Sequence, residues 1–393
     1  MLYPKRFIIQ TLMMKKFIFL FAFVFCSCTK KTDDFVVSPV IPEKLTVGSV
    51  SNLGIFDPAL TFDSTTNILW MSYSGVNTSA QVEPTQRVVS TRLASSTDGG
   101  ATWSDQAVVL AGIDNVSLSF PGLPAQGAWQ NEVSKILYDP NSVNANDRWK
   151  LLTHHYLEVK TTDSSADRRF EHGWISYRKA STPLLLASAT EVKLFSAGLY
   201  DSANNSLGGT TGSPLGGAPV YTLQTLHPEL NNCLIFTEPG LLSTATKLYL
   251  SLICVEAANF RVALFSCNQP CAVTSGWSYV KTLLQNSEAA ALGYLNFSAS
   301  ELFTFQNENY LMVSPEGVTG VPGIYHGCYV YKFTDIATGT LTSTTPSKKI
   351  EGTMNSFNGA CTFHASARNG FYYSEFNAQS SDVFRIFKSN LAF

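Results

Sequence analysis

Charged residues are scarce in this chain. Only 14% of its 393 residues are Asp, Glu, Lys or Arg, and the formal net charge at pH 7 is -2. Proteins that bind nucleic acid through electrostatics carry a clustered excess of Lys and Arg. The composition therefore argues against nucleic acid as a partner.

The apolar run near the N-terminus is too short to cross a bilayer. It spans the nine residues 17–25, follows two lysines and precedes the motif Cys26-Ser27-Cys28. A transmembrane helix needs roughly 20 apolar residues. The segment resembles a bacterial lipoprotein signal, which is cleaved before a cysteine that then receives the lipid.

The predicted lipidation site is Cys28, because the small Ser27 precedes it. The chain then divides into a signal peptide at 1–28, a polar tether at 29–44 and a folded domain at 45–393. We expect an exported monomer, anchored by lipid to the outer membrane and facing the periplasm or the cell surface. An ordinary secretory signal without lipid is the alternative that the residues leave open.

Several nucleotide-binding and catalytic motifs are also missing. The sequence has no P-loop, no dinucleotide-binding fingerprint, no Gly-x-Ser-x-Gly motif and no His-rich metal motif. We therefore expect no cofactor. Six cysteines follow Cys28, an even number that fits up to three disulfides in an oxidising compartment. Their connectivity stays open, although Cys267 and Cys271 are close enough to close a small loop.

What the chain has in plenty is aromatic residues and turn formers. Aromatic residues make up 12% of the sequence, and 26 residues are glycine. This mixture favours strands joined by many turns. The stretch "SSTDGGATW" at 95–103 contains such a turn, and its pattern of Ser96, Asp98, Gly100 and Trp103 resembles the Asp-box of sialidases and other β-propellers. An Asp that bonds to the amides of its own turn, together with glycines that accept positive φ, explains the pattern locally.

Strand, turn and strand units recur along the chain. They begin at Gly54, Asn131, Phe236, Ala299 and Gly359, and each is followed by a further alternating strand. Five units of about four strands predict an all-β fold, a five-bladed β-propeller. A sixth blade, within 43–54 or 195–230, is the alternative.

The first strand of each unit carries an acid or a histidine. These residues are Asp57, Glu132, Glu238, Glu301 and His364. The innermost strands of a propeller surround its axis, so we expect the five side chains to meet at equivalent positions around one channel. Burying carboxylates without partners is costly, and their presence therefore indicates a functional centre.

This set of acids resembles that of the family 43 glycoside hydrolases. The resemblance covers residues 45–393 through short motifs, and it implies hydrolysis of a glycosidic bond by paired carboxylates. It assigns Asp57 as the general base, Glu238 as the general acid and Glu132 as the residue that orients the acid and tunes its pKa. Two carboxyl groups with separated pKa values suit this reaction. The departure is Glu132, where the family has Asp.

Further residues complete the predicted site. His364, Glu301, Trp129 and Arg178 are expected to contact an oligosaccharide or polysaccharide, with Trp129 as a platform for a sugar ring. The resemblance places His364 near the axis, where a calcium ion is the one metal that we consider.

Two other functions stay open. One is a surface propeller that binds carbohydrate or protein without catalysis, since a fold does not determine a function. The other is a sialidase-like protein without the arginine triad that clamps the sialic carboxylate. Arg87, Arg92, Arg178 and Arg261 all lie in strands predicted to be outer ones.

Overall fold

The computed structural model describes most of the chain from residue 42 onward. The described residues are 42–48, 51–79, 87–117, 126–159, 167–195, 199–201, 206–209, 227–233, 235–256, 259–318, 321–350, 357–368, 370–377, 382–389 and 393. Residues Ile41–Phe393 form one compact unit. The predicted signal peptide, Cys28 and nearly all of the tether lie outside the described residues.

The first three sheets are antiparallel and follow one another along the chain. Sheet one contains β2 (Gly54–Asp63), β3 (Ile68–Thr78), β4 (Arg87–Ser96) and β5 (Ser104–Leu110). Sheet two contains β6 (Ile113–Ser117), β7 (Gln126–Tyr138), β8 (Trp149–Val159), β9 (Asp167–Ala180) and β10 (Val192–Phe195). Sheet three contains β13 (Ile235–Ser243), β14 (Lys247–Val255), β15 (Phe260–Asn268) and β16 (Trp277–Gln285). A separate hairpin joins β11 (Leu199–Asp201) to β12 (Ser206–Gly209) between sheets two and three.

Sheet four follows along the chain, and the last strands form a group, called sheet five, that is continuous with sheet one through one parallel pairing. Sheet four contains β17 (Asn296–Phe305), β18 (Glu308–Val318), β19 (Val321–Tyr325), β20 (Cys328–Asp335), β21 (Thr340–Leu341) and β22 (Lys348–Ile350). Sheet five contains β23 (Phe357–Phe363), β24 (Phe371–Phe376), β25 (Phe384–Lys388) and, from the other end of the chain, β1 (Glu43–Lys44). The strand β1 lies in the segment predicted as tether.

In the described part of the chain, helices are few and short. The α-helix α1 (Asn286–Ala291) connects sheets three and four, and 3-10 turns occupy Ala145–Asp147, Leu184–Ala187 and Pro228–Leu230. No helix among the described residues is long and apolar enough to span a membrane.

Local chemistry explains the tight hairpins. Gln306 and Asn307 connect β17 to β18 with φ values of 49° and 63°. Two consecutive residues with positive φ form the type I′ turn, which matches the twist of the flanking strands. At 95–103, the side chain of Asp98 accepts hydrogen bonds from the amide and the hydroxyl of Thr102, and Ser96 Oγ accepts one from the amide of Gly100.

The same turn attaches sheet one to sheet five. The indole of Trp103 is buried and meets the ring of Tyr372 edge-on, with 6.2 Å between centroids. The carbonyl of Gly99 accepts a hydrogen bond from the amide of Arg368, and that of Ala101 accepts one from Lys388 Nζ. The turn predicted from sequence therefore fastens the first sheet to the last.

Apolar clusters fill the space between neighbouring sheets. Each pair of neighbouring sheets contributes buried side chains to a shared cluster. Between sheets one and two these include Trp70 and Trp149, between two and three Leu152 and Leu250, and between three and four Ile253 and Leu311. Sheets four and five share Met312 and Phe371, and sheets five and one share Tyr372 and Met71. The last sheet thus packs on the first, and the fold is an all-β propeller. The topology is consistent with the predicted five blades.

The closure also requires one glycine. Gly54 in β2 pairs with Phe384 in β25, and its φ is +110°. A Cβ atom at this position would lie 1.9 Å from the carbonyl oxygen of Phe384. Only glycine allows the two backbones to approach this closely.

Three disulfides link the six cysteines: Cys233–Cys254, Cys267–Cys271 and Cys328–Cys361. The pairing of Cys267 with Cys271 agrees with the prediction from their spacing. The Cys328–Cys361 bridge joins sheet four to sheet five, so it holds two neighbouring blades together.

Candidate active site

In each sheet, the strand that carries one of the predicted acids, or that directly precedes His364 in sheet five, contains a β-bulge at the same place. The pairing register shifts within β2, β7, β13, β17 and β23, and one residue in each bulge has a φ near +50°. These five residues are Asp57, Val133, Glu238, Ala299 and Ala360. A positive φ is rare outside glycine, and bulges commonly re-aim a side chain beside an active site.

The bulges correct the predicted alignment of the five inner strands. Only Asp57 and Glu238 occupy the bulge position. Glu132 precedes the equivalent residue by one position, Glu301 follows it by two and His364 by four, so the five side chains are not equivalent. The pattern of polar residues in the sequence does not reveal which residue of each strand forms the bulge.

Hydroxyl groups connect the bulges from blade to blade. Ser374 Oγ accepts a hydrogen bond from the amide of Asp57 at 2.8 Å, and Ser74 Oγ accepts one from the amide of Val133 at 3.3 Å. The amide of Ala299 instead donates to Glu238 Oε2. At the bulge of sheet four, the carboxylate of Glu238 therefore accepts the amide hydrogen bond that a serine hydroxyl accepts at the bulges of sheets one and two. This contact aligns Glu238 against sheet four.

Asp57 lies among charges of its own sign. Its side chain is 7% exposed and accepts a hydrogen bond from Ser74 Oγ at 2.9 Å. Burial raises the pKa of Asp57 well above its usual range, and the charges of Glu132 and Glu238 raise it further. Ser74 and the positive charge of Arg87 oppose this shift.

Glu238 is equally buried and bonded at both oxygens. Tyr325 Oη donates to Oε1 at 2.8 Å, while the amide of Ala299 donates to Oε2. Burial raises the pKa of Glu238 to about 7, and the charge of Glu316 adds to this increase. The donors Ala299, Tyr325 and Ser298 act in the opposite direction, because they stabilise the carboxylate.

Glu132 completes a cluster of three carboxylates. It accepts a hydrogen bond from Tyr156 Oη at 2.8 Å. Among the neighbouring charges, that of Glu132 raises the pKa of Asp57 the most. Although burial opposes it, the charges of Glu132 and Glu158 raise the pKa of Arg87. Asp57 thus lies close enough to interact with both of the other predicted catalytic acids, and Arg87 lies beside Glu132.

Glu301 has a different partner. Its carboxylate pairs with Lys135 Nζ and accepts a hydrogen bond from Thr362 Oγ1 at 3.2 Å. Lys135, Glu301 and Thr362 each follow the positive-φ residue of their bulge by two positions. The ion pair therefore lies two residues further along the inner strands than Asp57 and Glu238. The structure uses Glu301 in a buried ion pair, and its partner Lys135 was not predicted from the sequence.

His364 lies further along the channel still. It directly follows β23, and its ring is 5.9 Å from that of Phe62, five residues beyond Asp57. Burial, with the positive charge of Lys135 as a second cause, lowers the pKa of His364 to about 4. A neighbouring cation and a single nitrogen ligand do not suit calcium, which prefers several oxygen ligands. The described neighbours of His364 include Phe62 and Lys135, the cation of the ion pair with Glu301.

Trp129 and Arg178 are also directed elsewhere. The ring of Trp129 stacks on His155 at 4.7 Å, and His155 is next to Tyr156 on β8. Neighbouring residues of a strand point to opposite faces, so Trp129 and the Tyr156–Glu132 pair lie on different faces of sheet two. Arg178 donates to the backbone carbonyls of Leu186, Ala187 and Ala189, where it anchors the 3-10 turn.

Three of the four arginines considered above, all with described side chains, have partners other than a sialidase-type clamp. Arg92 pairs with Asp105 through two hydrogen bonds, and Arg261 pairs with Glu256. Arg87 departs from its predicted place: it begins β4, a strand predicted to be outer, yet its guanidinium interacts with Glu132.

Three other residues of the site, Tyr156, Tyr325 and Glu316, were not predicted from the sequence. Tyr325 ends β19, a short strand beside β18 that the repeat pattern assigned to the outer half of its blade. On β8 and β18, His154 and Ser314 each pair with the residue that directly precedes a bulge. Tyr156 and Glu316 lie two residues further along these strands, so they occupy equivalent positions. The signal that points to them is their equivalent place on these two strands, which the pattern of acids on the inner strands does not include.

Comparisons with known proteins support the fold. No known family profile matches the sequence, and no curated protein sequence is significantly similar to it. The GH32 beta-fructofuranosidase BmSUC1 of Bombyx mori is 12% identical, with a TM-score of 0.50 over 88% of this chain and 61% of that chain. The GH43 endo-arabinanase of Bacillus licheniformis is 14% identical, with a TM-score of 0.45 over 87% and 95%. The chain spans about three fifths of the fructofuranosidase, and it shares the β-propeller fold of such glycoside hydrolases.

Proposed function

We propose that this protein is a glycoside hydrolase-like enzyme that cleaves a glycosidic bond with Asp57 and Glu238. The observation that carries the proposal is their shared position: both acids occupy the bulge of an inner strand, both are buried, and their charges interact. Burial raises the pKa of Glu238 to about 7, which lets it carry a proton near neutral pH.

In this mechanism Glu238 is the acid that protonates the leaving oxygen. The amide of Ala299 can only donate, so Oε2 stays an acceptor, whereas the hydroxyl of Tyr325 can donate to an ionised Oε1 or accept from a protonated one. The acidic proton is therefore held on Oε1. Asp57, in its ionised form, activates a water molecule or attacks the sugar carbon directly. Glu132 and Arg87 then set the charge around Asp57.

The structural neighbour BmSUC1 supports the substrate class. Its name describes a beta-fructofuranosidase, which is an enzyme that acts on saccharides. We therefore propose an oligosaccharide or polysaccharide as the partner of the central face.

Hydrolysis by site variants tests this function. The purified protein is assayed against a panel of aryl glycosides and plant and fungal oligosaccharides, and the best substrate is repeated with Asp57→Asn and Glu238→Gln. Each variant should lower kcat by about 10²- to 10⁴-fold, the usual contribution of one acid or base. Glu308→Gln, an exposed acid on β18, is the matched control and should retain activity. Turnover that survives both substitutions would contradict the proposal.

The same protein distinguishes the remaining alternatives. The anomer released first, observed by proton NMR, shows whether Asp57 acts on water with inversion or attacks the sugar with retention. If no glycoside in the panel is cleaved but a glycan binds equally to the wild type and to Asp57→Asn, the propeller is a binding module.

We also propose that Cys28 carries a lipid that anchors the protein to the outer membrane. The support is the basic pair, the short apolar run and the small residue before Cys28. In a diderm bacterium that processes lipoproteins, the wild type should sediment with membranes and dissolve in detergent. Cys28→Ala should abolish acylation, as measured by mass spectrometry. An unmodified, soluble wild type would refute the anchor.

A further inference from the structure

Glu316 is a further carboxylate whose charge acts on Glu238, and the family resemblance gives it no role. It lies on β18 and is partly buried. Two side chains of β17 donate to its Oε2: Asn296 Nδ2 at 2.8 Å and Ser298 Oγ at 2.7 Å. These two donors hold the carboxylate in one orientation, so its position is built by the fold.

Two residues connect Glu316 to Glu238. Tyr325, whose hydroxyl donates to Glu238 Oε1 at 2.8 Å, is paired directly opposite Glu316 in the β18–β19 ladder. Ser298 Oγ donates to Glu316 Oε2, and Ser298 also lies close enough to Glu238 to lower the pKa of that carboxyl. Glu132 has a different neighbourhood, since it is bound by Tyr156 and acts mainly on Asp57 and Arg87.

We propose that Glu316 is the positioning residue that keeps the proton on Glu238, and that Tyr325 holds the protonated oxygen in place. The inference rests on the proposed function for its catalytic meaning. The resemblance assigns the tuning of the acid to Glu132 in sheet two, whereas this proposal assigns it to Glu316 in sheet four.

The physical reason is repulsion between two neighbouring carboxylates, one bound by Ser298 and the other by Tyr325. A like charge nearby disfavours ionisation, so Glu316 raises the pKa of Glu238, in addition to burial. Tyr325 has the opposite effect, because its hydroxyl stabilises the ionised form. Removing the charge of Glu316 and removing the hydroxyl of Tyr325 should therefore shift the pKa of Glu238 in opposite directions.

Other ionisable groups surround β13 and must be separated from this effect. They are Asp57 on β2, Glu132 and Lys135 on β7, His154 on β8 and Glu301 on β17. Lys135 and Glu301 form an ion pair with each other. Burial lowers the pKa of His154 to about 3, so it is neutral in the relevant range. The interacting groups left to control are Asp57 and its neighbour Glu132.

The test compares Glu316→Gln, Tyr325→Phe, Glu132→Gln and the control Glu308→Gln in the full-length protein. The titration of Glu238 is followed by NMR of protein labelled at the glutamate carboxyl carbon, with the signal assigned by its loss in Glu238→Gln. This readout needs no turnover, so it stands even if the glycosidase assay fails. Circular dichroism and a melting curve verify that each variant is folded.

We expect Glu316→Gln to move the midpoint of Glu238 down by about one pH unit, as for the loss of one neighbouring charge. Tyr325→Phe should move it up, and Glu308→Gln should leave it unchanged. In active protein the alkaline limb of kcat/KM should shift in the same directions. If Glu132→Gln lowers the midpoint of Glu238 and Glu316→Gln does not, Glu132 has this role and the proposal is wrong.

Discussion

Removing the buried positive charge of Lys135 is the most informative perturbation of stability. Lys135 and Glu301 come from β7 and β17, and their side chains are only 3% and 6% exposed. Lys135→Met keeps most of the aliphatic length of the side chain and deletes the charge. The carboxylate of Glu301 then retains one described donor, Thr362 Oγ1.

The expected cost is about 3–5 kcal/mol of unfolding free energy, because a buried charge is left without its counterion. Replacing both partners should cost much less, since an apolar pair of similar volume is often as stable as a buried ion pair. Lys135→Met with Glu301→Leu should therefore recover most of the loss. This recovery separates the missing charge from a mere packing defect.

The cost should also depend on pH. Burial already raises the pKa of Glu301, although Lys135 opposes the increase, and without Lys135 the pKa rises further. An acid with a raised pKa in the folded state makes folding less favourable as the pH rises from about 4.5 towards that pKa. The destabilisation by Lys135→Met should consequently be larger at pH 8 than at pH 5, by about 1.4 kcal/mol for each pH unit by which the pKa of Glu301 rises.

Urea unfolding, followed by tryptophan fluorescence, measures these differences at both pH values. Lys332→Met is a control, because Lys332 forms an exposed pair with Glu308 whose contribution should be about 0–1 kcal/mol. The reasoning is refuted if Lys135→Met costs less than about 1 kcal/mol at pH 8, or if the double variant is no more stable than the single one.

Three other predictions concern activity and stability. Catalysis should follow a bell-shaped pH profile, because activity requires ionised Asp57, whose pKa burial raises, and protonated Glu238, whose pKa is about 7; kcat/KM that stays constant from about pH 5 to 9 would contradict these roles. Trp103→Ala should lower the unfolding free energy in urea by about 3–5 kcal/mol, since the buried indole packs between sheets one and five; a loss below about 1 kcal/mol would show that the turn does not fasten them. Replacing Cys328 and Cys361 with serine should cost about 3–4 kcal/mol for a loop of 33 residues, and an unchanged urea midpoint would refute that contribution.

Much of the fold could be predicted from the sequence because its signals are local. Alternating strands, plentiful turn-forming residues and the stretch around Asp98 indicate an all-β repeat, and each depends on residues within a few positions of one another. The spacing of Cys267 and Cys271 likewise predicted their disulfide. Asp57, Glu132 and Glu238 stand out in the sequence as acids of inner strands, and their charges interact in the structure; their catalytic roles stay predictions.

The other site residues could not be found in this way. Arg178 and Trp129 look equally suitable on paper, yet the strand alternation and a turn of the backbone direct them away from the carboxylates. Glu301 looks like an isolated acid in the sequence, because its counterion Lys135 lies 166 residues away in the chain.

The sequence by itself determined the strand periodicity, the tight turns, the set of cysteines and which strands carry acids, since these follow from the chemistry of neighbouring residues. Only the tertiary structure decided which acids meet. One extra residue in each inner strand re-aims the side chains, and closure of sheet five onto sheet one brings distant blades together. Burial and like charges then raise the pKa of Glu238, because the dielectric environment and the neighbouring charges exist only after the blades have packed.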